Sequence, residues 1–341
     1  MIRNYLKIAF RNLVKNKVFS AINVFGLAIG IATCLIIVLF VQDEWSYDRF
    51  NEKADRIVRV VLRGMMNGEA MKEAVTMAPT AHTLKNDYPE VEEATRLRNY
   101  GSQKITVGEK TFKDENLAYV DANFFQVFTL PFIKGDAKTA LLEPNTIVIT
   151  QETAIKYFGN EDPIGKVLTF KDLKQVYKVT GVIEKVPANS HFHFDLLGSM
   201  ESLDDAKGTS WMQSSYYSYL LLHKGYDYKK LEAKLPQVVD KYMAPQLEKA
   251  LGVSLSEFRK KGNDVGLYLQ PLTDIHLYSD FSINLEPGGD VRYVYIFGAI
   301  AIFMLLIACI NFMNLSTAGA SKRAKEVGVR KVLGSVKYEL I

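Results

Sequence analysis

The segment His191-Phe192-His193-Phe194-Asp195 gathers the residue types best suited to chemistry. Read as a strand, it puts His191, His193 and Asp195 on one face and Phe192 and Phe194 on the other. Two imidazoles and a carboxylate could begin a zinc set, but a closed tetrahedral site needs a fourth ligand. Both cysteines, Cys34 and Cys309, lie in apolar runs elsewhere, so a solvated polar face is the expected reading. His82, His223 and His276 are scattered. Gly159-Asn-Glu-Asp-Pro-Ile-Gly165-Lys166-Val167 has the outline of a phosphate loop. Five residues separate its glycines where four are needed, and Val167 stands where a Mg²⁺-binding hydroxyl belongs. A turn is expected there. No G-x-S-x-G elbow, HExxH pair or cysteine-centred motif occurs. The expectation is a protein that is not an enzyme, with no cofactor and no metal.

The elements that carry these residues follow from the distribution of charge and grease. Ile22–Val41 is 20 residues without a charge, and Tyr293–Ile310 is 18. About 20 helical residues cross a hydrocarbon core of about 30 Å. Neither run shows the polar stripe of a soluble core helix. Each reads as a transmembrane helix, over 22–41 and 293–315. The first is too long for a secretory h-region and meets Gln42-Asp43-Glu44-Trp45 instead of a small-residue cleavage site.

Net charge is only +4, which excludes a strongly basic nucleic-acid binder. The ends are basic nonetheless. Residues 1–21 carry Arg3, Lys7, Arg11, Lys15 and Lys17 with no acid, and residues 316–341 carry six Lys or Arg against Glu326 and Glu339. The positive-inside rule places both ends in the cytoplasm and residues 43–292 outside, in a multi-pass protein of the cytoplasmic membrane. Ile2, Leu6, Phe10 and Leu13 recur at helical spacing beside Arg3, Lys7, Arg11 and Lys15. That pattern predicts an amphipathic helix over 1–21, lying on the inner lipid surface. Gly26 and Gly30 make a small-xxx-small face on the first span, suited to close helix packing.

The outer segment reads as α+β. Strands are expected at Arg56–Leu62, Lys104–Val107, Thr146–Ile149, Gln175–Ile183 and Tyr216–Leu222, which are rich in β-branched and aromatic residues. Helices are expected at Pro79–Asp87, at Gln151–Phe158 with Thr150 as N-cap and Gly159 as stop, and over a long amphipathic stretch, Tyr228–Lys261. In that stretch Leu247, Leu251, Leu255 and Phe258 would share a face.

Several stretches in order resemble one family. Arg11-Asn-Leu-Val-Lys-Asn-Lys17 with Asn23-Val-Phe-Gly26-Leu-Ala-Ile-Gly30 is similar to the entry helix and first span of MacB/FtsX-like ABC transporter permeases, in the form common in Bacteroidetes. Tyr119-Val-Asp-Ala-Asn-Phe-Phe125, Lys156-Tyr-Phe-Gly159, Asp162-Pro-Ile-Gly165, Val179-Thr-Gly181-Val and Asn189-Ser-His191-Phe-His-Phe194 resemble their periplasmic core domain. Arg323-Ala-Lys-Glu326-Val-Gly328-Val-Arg330-Lys-Val-Leu-Gly334 resembles their cytoplasmic coupling segment, 316–341.

The resemblance implies a permease that passes ATP-driven closure of a separate cytoplasmic ATPase to its outer domain, in efflux or extraction. Arg323, Glu326, Gly328, Arg330 and Gly334 would engage that ATPase. It also implies an inserted subdomain, placed at 120–210, and a homodimer or heterodimer of permeases in the bilayer. A periplasmic adaptor or lipoprotein is a further implied partner, and nucleic acid is not. Such permeases have at least four spans, so a piece of a longer chain is expected. Two other readings share this topology: a two-span sensor, and an FtsX-like regulator of a cell-wall hydrolase. A sensor should continue into a signalling coiled coil, whereas Gly319, Gly328 and Gly334 interrupt the last segment and no heptads follow.

Overall fold

The computed structural model describes Arg11 and residues 17–333. Apart from Arg11 and its last residues from Lys17 onward, the basic helix expected over 1–21 lies outside the described residues. Helix α1 spans Lys17–Ser46, and its stretch Val24–Ser46 is long and apolar enough to cross a membrane. No proline interrupts it.

Residues Ser46–Asp290 form a compact unit of their own. Its elements are β1 (Ile57–Met66), β2 (Glu69–Glu73), β3 (Thr76–Met77), α2 (Thr80–Asp87), β4 (Val91–Val107), β5 (Lys110–Val120), α3 (Phe124–Val127) and β6 (Phe132–Lys134). There follow β7 (Thr146–Thr150), α4 (Gln151–Phe158), β8 (Val167–Phe170), β9 (Gln175–Ile183), β10 (Leu196–Ser199) and β11 (Ser214–Leu222). The unit closes with α5 (Tyr228–Glu232), α6 (Leu235–Val238), α7 (Ala244–Leu251), α8 (Leu255–Lys260), β12 (Asp264–Pro271) and α9 (Ile275–Tyr278). Helix α10, Val291–Val332, continues the chain, and its stretch Val291–Asn314 is again of membrane-crossing length and apolarity.

The strands lie side by side as β12-β1-β11-β4-β5-β10-β7-β9-β6, with β2 added to β1, β3 to β11, and β8 to β4 and β9. Pairing is antiparallel except for β10 with β5 and β7 with β9. This is the mixed α+β class expected from sequence. Strands 132–199, which fall inside the 120–210 segment, make one end of this same sheet.

The period-2 alternation of strands decides where the core lies. Ile57, Tyr219 and Leu221 face one cluster while Val58, Leu220 and Leu222 face another. Farther along, Ala118, Val148 and Leu197 face the first cluster while Leu117, Ile147 and Leu196 face a third. Both faces are therefore covered along β7, β10 and most of β11, which are buried residue after residue.

Local signals place α4 as expected. Thr150 accepts from the Thr153 N–H, and Gly159 ends the helix at φ 62°. The stretch 159–165 is a turn between α4 and β8, not a phosphate cradle. The long helix expected over Tyr228–Lys261 is instead four short helices with a π-turn, Val239–Met243, between α6 and α7. Pro236 and Pro245 each sit in a first turn, and Gly252 closes α7 in the left-handed conformation. Each proline restarts a helix because it supplies no N–H to the turn before it. Leu247, Leu255 and Phe258 reach the core, but Leu251, the last residue of α7, is exposed.

Candidate functional site

Residues 191–195 do not form the strand in which His191, His193 and Asp195 would share a face. They are a loop running into β10, and His191 and His193 serve different partners. His191 is buried, at 6% exposure, which corrects its reading as part of a solvated face. Its Nδ1 lies 2.7 Å from Oδ1 of Asp48, and its Nε2 lies 2.7 Å from the Tyr219 hydroxyl. Asp48 is fully buried and held at φ 59°, a left-handed backbone that aspartate tolerates better than most residues. A carboxylate accepts, so Nδ1 carries the proton toward Asp48. On the other side of the ring, Nε2 shares a hydrogen bond with the Tyr219 hydroxyl.

Arg59, 0% exposed near the start of β1, interacts electrostatically with Tyr219, while its own hydrogen bonds go elsewhere. Arg59 donates to Asn284 Oδ1 at 2.8 Å and to Gln270 Oε1 at 2.8 Å. Burial pulls the Arg59 guanidinium down and pushes the Tyr219 phenol up, and each is partly offset by the other. A buried cation and a buried anion thus sit at opposite ends of a tyrosine–histidine bridge. Breaking such an arrangement costs more than the bonds themselves, since a charge is left unpaired in low dielectric.

His193 is half-exposed and faces the other way. Its Nδ1 lies 2.9 Å from Glu286 Oε2 and its Nε2 lies 3.0 Å from the Pro187 carbonyl. Both partners are acceptors, so this geometry suits the doubly protonated ring. The Glu286 bond raises its pKa above the ordinary value, against a smaller opposing pull from partial burial. A raised histidine contributes stability that is fully present below its unfolded pKa of about 6.5 and is lost as pH rises through the folded value. Melting of the full chain in detergent should therefore shift downward with pH across that window. His193→Ala should flatten that part of the profile. The pair is open to solvent, so the effect is at most about 1 kcal/mol and shrinks in high salt. A profile identical in parent and variant would refute the assignment.

Asp195 takes a third direction: its carboxylate accepts from the Asn116 backbone N–H. The three residues once placed on one face do not converge, and no group of His, Cys, Asp or Glu among the described residues could hold a metal. Sequence spacing missed Asp48, Arg59 and Tyr219 altogether. The only local hint was a charged residue, Arg59, inside an apolar run.

The two apolar helices form a unit by themselves. They run antiparallel, with Phe40 and Phe297 in edge contact at 5.4 Å between ring centroids. A Cβ built on Gly30 would lie 2.9 Å from the Ala308 Cβ, and one on Gly26 would lie 3.2 Å from Asn311 Nδ2. Val294, Ala301 and Ala308 are buried at a spacing of seven, as are Gly30 and Ile37 opposite. That is the seam of a two-helix coil with small residues at its tight end. Arg323, Glu326, Gly328 and Arg330 all fall on the continuous part of α10 beyond the apolar stretch, while Gly334 lies outside the described residues.

The sequence profile of the MacB-like periplasmic core domain matches residues 20–238. The chain belongs to that family. It is a MacB-like ABC transporter permease sequence, with the family's mixed α+β periplasmic-type domain flanked by two helices of membrane-crossing length. A macrolide export ATP-binding/permease protein MacB from Aggregatibacter actinomycetemcomitans is 25% identical over 244 residues, covering 70% of this chain and 33% of its own length. The protein of the same name from Burkholderia lata is 22% identical over 98% of this chain and 45% of its own. The chain thus spans between a third and a half of the curated relatives it matches. Among solved structures, a domain described as belonging to a permease of Porphyromonas gingivalis superposes with a TM-score of 0.57 at 23% identity, covering 72% of this chain and 98% of that one. The MacB-like match takes in Asp48, Arg59, His191 and Tyr219, whereas Gln270, Asn284 and Glu286 lie beyond it.

Proposed function

We propose that this chain is the membrane permease part of an ABC transporter and couples ATP hydrolysis on a separate cytoplasmic ATPase to movement of its periplasmic domain. The topology in this reading puts 1–21 and 316–341 in the cytoplasm, spans at 22–41 and 293–315, and 43–292 outside, with 120–210 as a subdomain. Mechanical transmission, not conduction, is the mode: a stroke at the inner surface moves the outer domain, for export or extraction. Partners would be the ATPase, a second permease and a periplasmic adaptor or lipoprotein.

The observation that carries this reading is the length of α10. Its 42 residues make a rod about 63 Å long at about 1.5 Å per residue, against about 30 Å of hydrocarbon. Roughly the last turns, which hold Arg323, Glu326 and Arg330, extend an apolar span into a basic handle without a break. A continuous helix transmits displacement along its axis where a hinged loop would absorb it.

Glu326 and Arg330 stand one turn apart with opposite signs. In the complete transporter, Glu326→Lys or Arg330→Glu should cut the permease's stimulation of ATPase activity by about fivefold or more, the lower end of typical coupling free energies. Membrane insertion, followed by protease protection, should be unchanged. Stimulation equal to the parent in both variants would sink the docking role.

A further inference from the structure

The domain begins and ends at a helix: Ser46 closes α1, and Val291 opens α10. We propose that Tyr219 and His191 are positioning residues that fasten the entry of the domain, Ser46–Asp48, to its exit, Asn284–Gly288, so that the two junctions are displaced together. Hydrogen bonds link Asp48 to His191 and His191 to Tyr219, the Tyr219 side chain interacts electrostatically with the buried Arg59 guanidinium, and Arg59 donates to Asn284 at the exit. Nothing in the fold demands this route. Entry and exit residues are more than two hundred positions apart, and neither lies in a strand of the sheet.

Two further fastenings join the same two segments. The loop after Pro187 grips the entry through its backbone, since the Asp48 N–H donates to the Asn189 carbonyl at 2.7 Å and Asn189 Nδ2 donates to Ser46 Oγ at 2.9 Å. Four residues on, the same loop grips the exit through His193 and Glu286. Beside it, the Tyr47 ring stacks on His276 at 3.4 Å between centroids, nearly parallel. The exit passes so close to His276 that a Cβ on Gly288 would lie 2.4 Å from its carbonyl oxygen. Tyr47, His191, His276 and Glu286 line one small cleft between entry and exit.

Three links thus tie these segments, one of them passing through the buried side chains of Asp48 and Arg59. They make the junctions a single body. That body rests on the transmitter reading for its purpose: a stroke arriving along one helix would move the domain as a whole instead of peeling one end from it. The fastening itself needs no motor and is tested without one.

The test is hydrogen–deuterium exchange on the full chain in detergent, without ATP or ATPase. Tyr219→Phe keeps the ring that packs on Phe128 and removes only the hydroxyl. Among the described residues Tyr219 is hydrogen-bonded to His191 and to no residue of either terminal segment, so loss of its hydroxyl should speed exchange about tenfold in both 46–51 and 283–288, while β7 and β9 keep their protection. His191→Gln, whose amide can donate to Asp48 and accept from Tyr219, should restore most of the protection that His191→Leu loses. His193→Ala should speed exchange at the entry as well as at the exit, by linkage. Faster exchange at one segment alone, or a uniform rise across the domain, would overturn the proposal. Because no nucleotide takes part, its failure leaves the ATPase-docking result standing, and the reverse is equally true.

Discussion

Arg96→Ala should lower the melting temperature of the full chain by about 10 °C. Arg96 lies on β4 with 5% exposure, and its partner Asp121, just past β5, has 8%. The pairing is a fork: Nε donates to Oδ2 at 3.0 Å and Nη2 donates to Oδ1 at 2.8 Å. The remaining nitrogen, Nη1, donates to the carbonyls of Ala78 at 2.9 Å and Ala206 at 2.7 Å. One guanidinium thus stitches two strands to the segment before α2 and to the turn before β11. Removing it leaves a carboxylate and two carbonyls in the interior without their donor. The cost of stranding one partner of a buried pair is about 3–5 kcal/mol, and a domain of this size loses about 2–4 °C per kcal/mol.

Arg96→Lys should recover little, because an ammonium cannot span the fork and reach both carbonyls. Arg96→Met with Asp121→Leu should recover more than either single change, since no charge is then stranded. Recovery stays partial, because the Arg96 backbone N–H also donates to Asp121 Oδ2 at 2.7 Å. A melt of Arg96→Ala within a degree or two of the parent would show that water or a rearranged donor satisfies Asp121, and the pair would count for nothing in stability.

The legible parts of this chain were those written in neighbouring residues. Gln175–Ile183 is a strand because its β-branched and aromatic side chains alternate, with Tyr177 and Val179 buried and Val176 and Lys178 exposed, and α4 begins at Thr150 and ends at Gly159 because both signals are local. The Tyr228–Lys261 stretch misled for a related reason. Its apolar spacing is helical, but Pro236 and Pro245 break the rod into pieces that wrap the cluster around Trp211 and Leu231. His191 could not be read locally at all. Alternation with Phe192 and Phe194 made it one of a set, whereas its partners are Asp48, 143 positions away, and Tyr219. Spacing encodes which face a residue takes in a regular element; it says nothing in a loop. The phenylalanines were the better guide, since Phe192 and Phe194 both enter the core and carry the histidines to where they act.

Gly30→Leu should open the helix pair. The glycine Cβ position already falls 2.9 Å from the Ala308 Cβ, closer than two carbons tolerate, so even alanine forces a shift and leucine forces separation. Over-packing of this kind costs about 1–3 kcal/mol, and in lipid no hydrophobic gain offsets it, because tails and side chains are equally apolar. The separation can be read with cysteines at Phe40 and Phe297, whose rings are in contact, in a chain with Cys34 and Cys309 changed to serine. Oxidative cross-linking should slow about tenfold on adding Gly30→Leu. Gly298→Leu is the control: nothing lies within 4 Å of its Cβ position, so a leucine there meets no neighbour and the rate should hold. Gly30→Ala should be rescued by Ala308→Gly, which moves the methyl from one helix to the other at constant volume. If Gly30→Leu cross-links as fast as the parent, the close approach of the two helices is not what holds them.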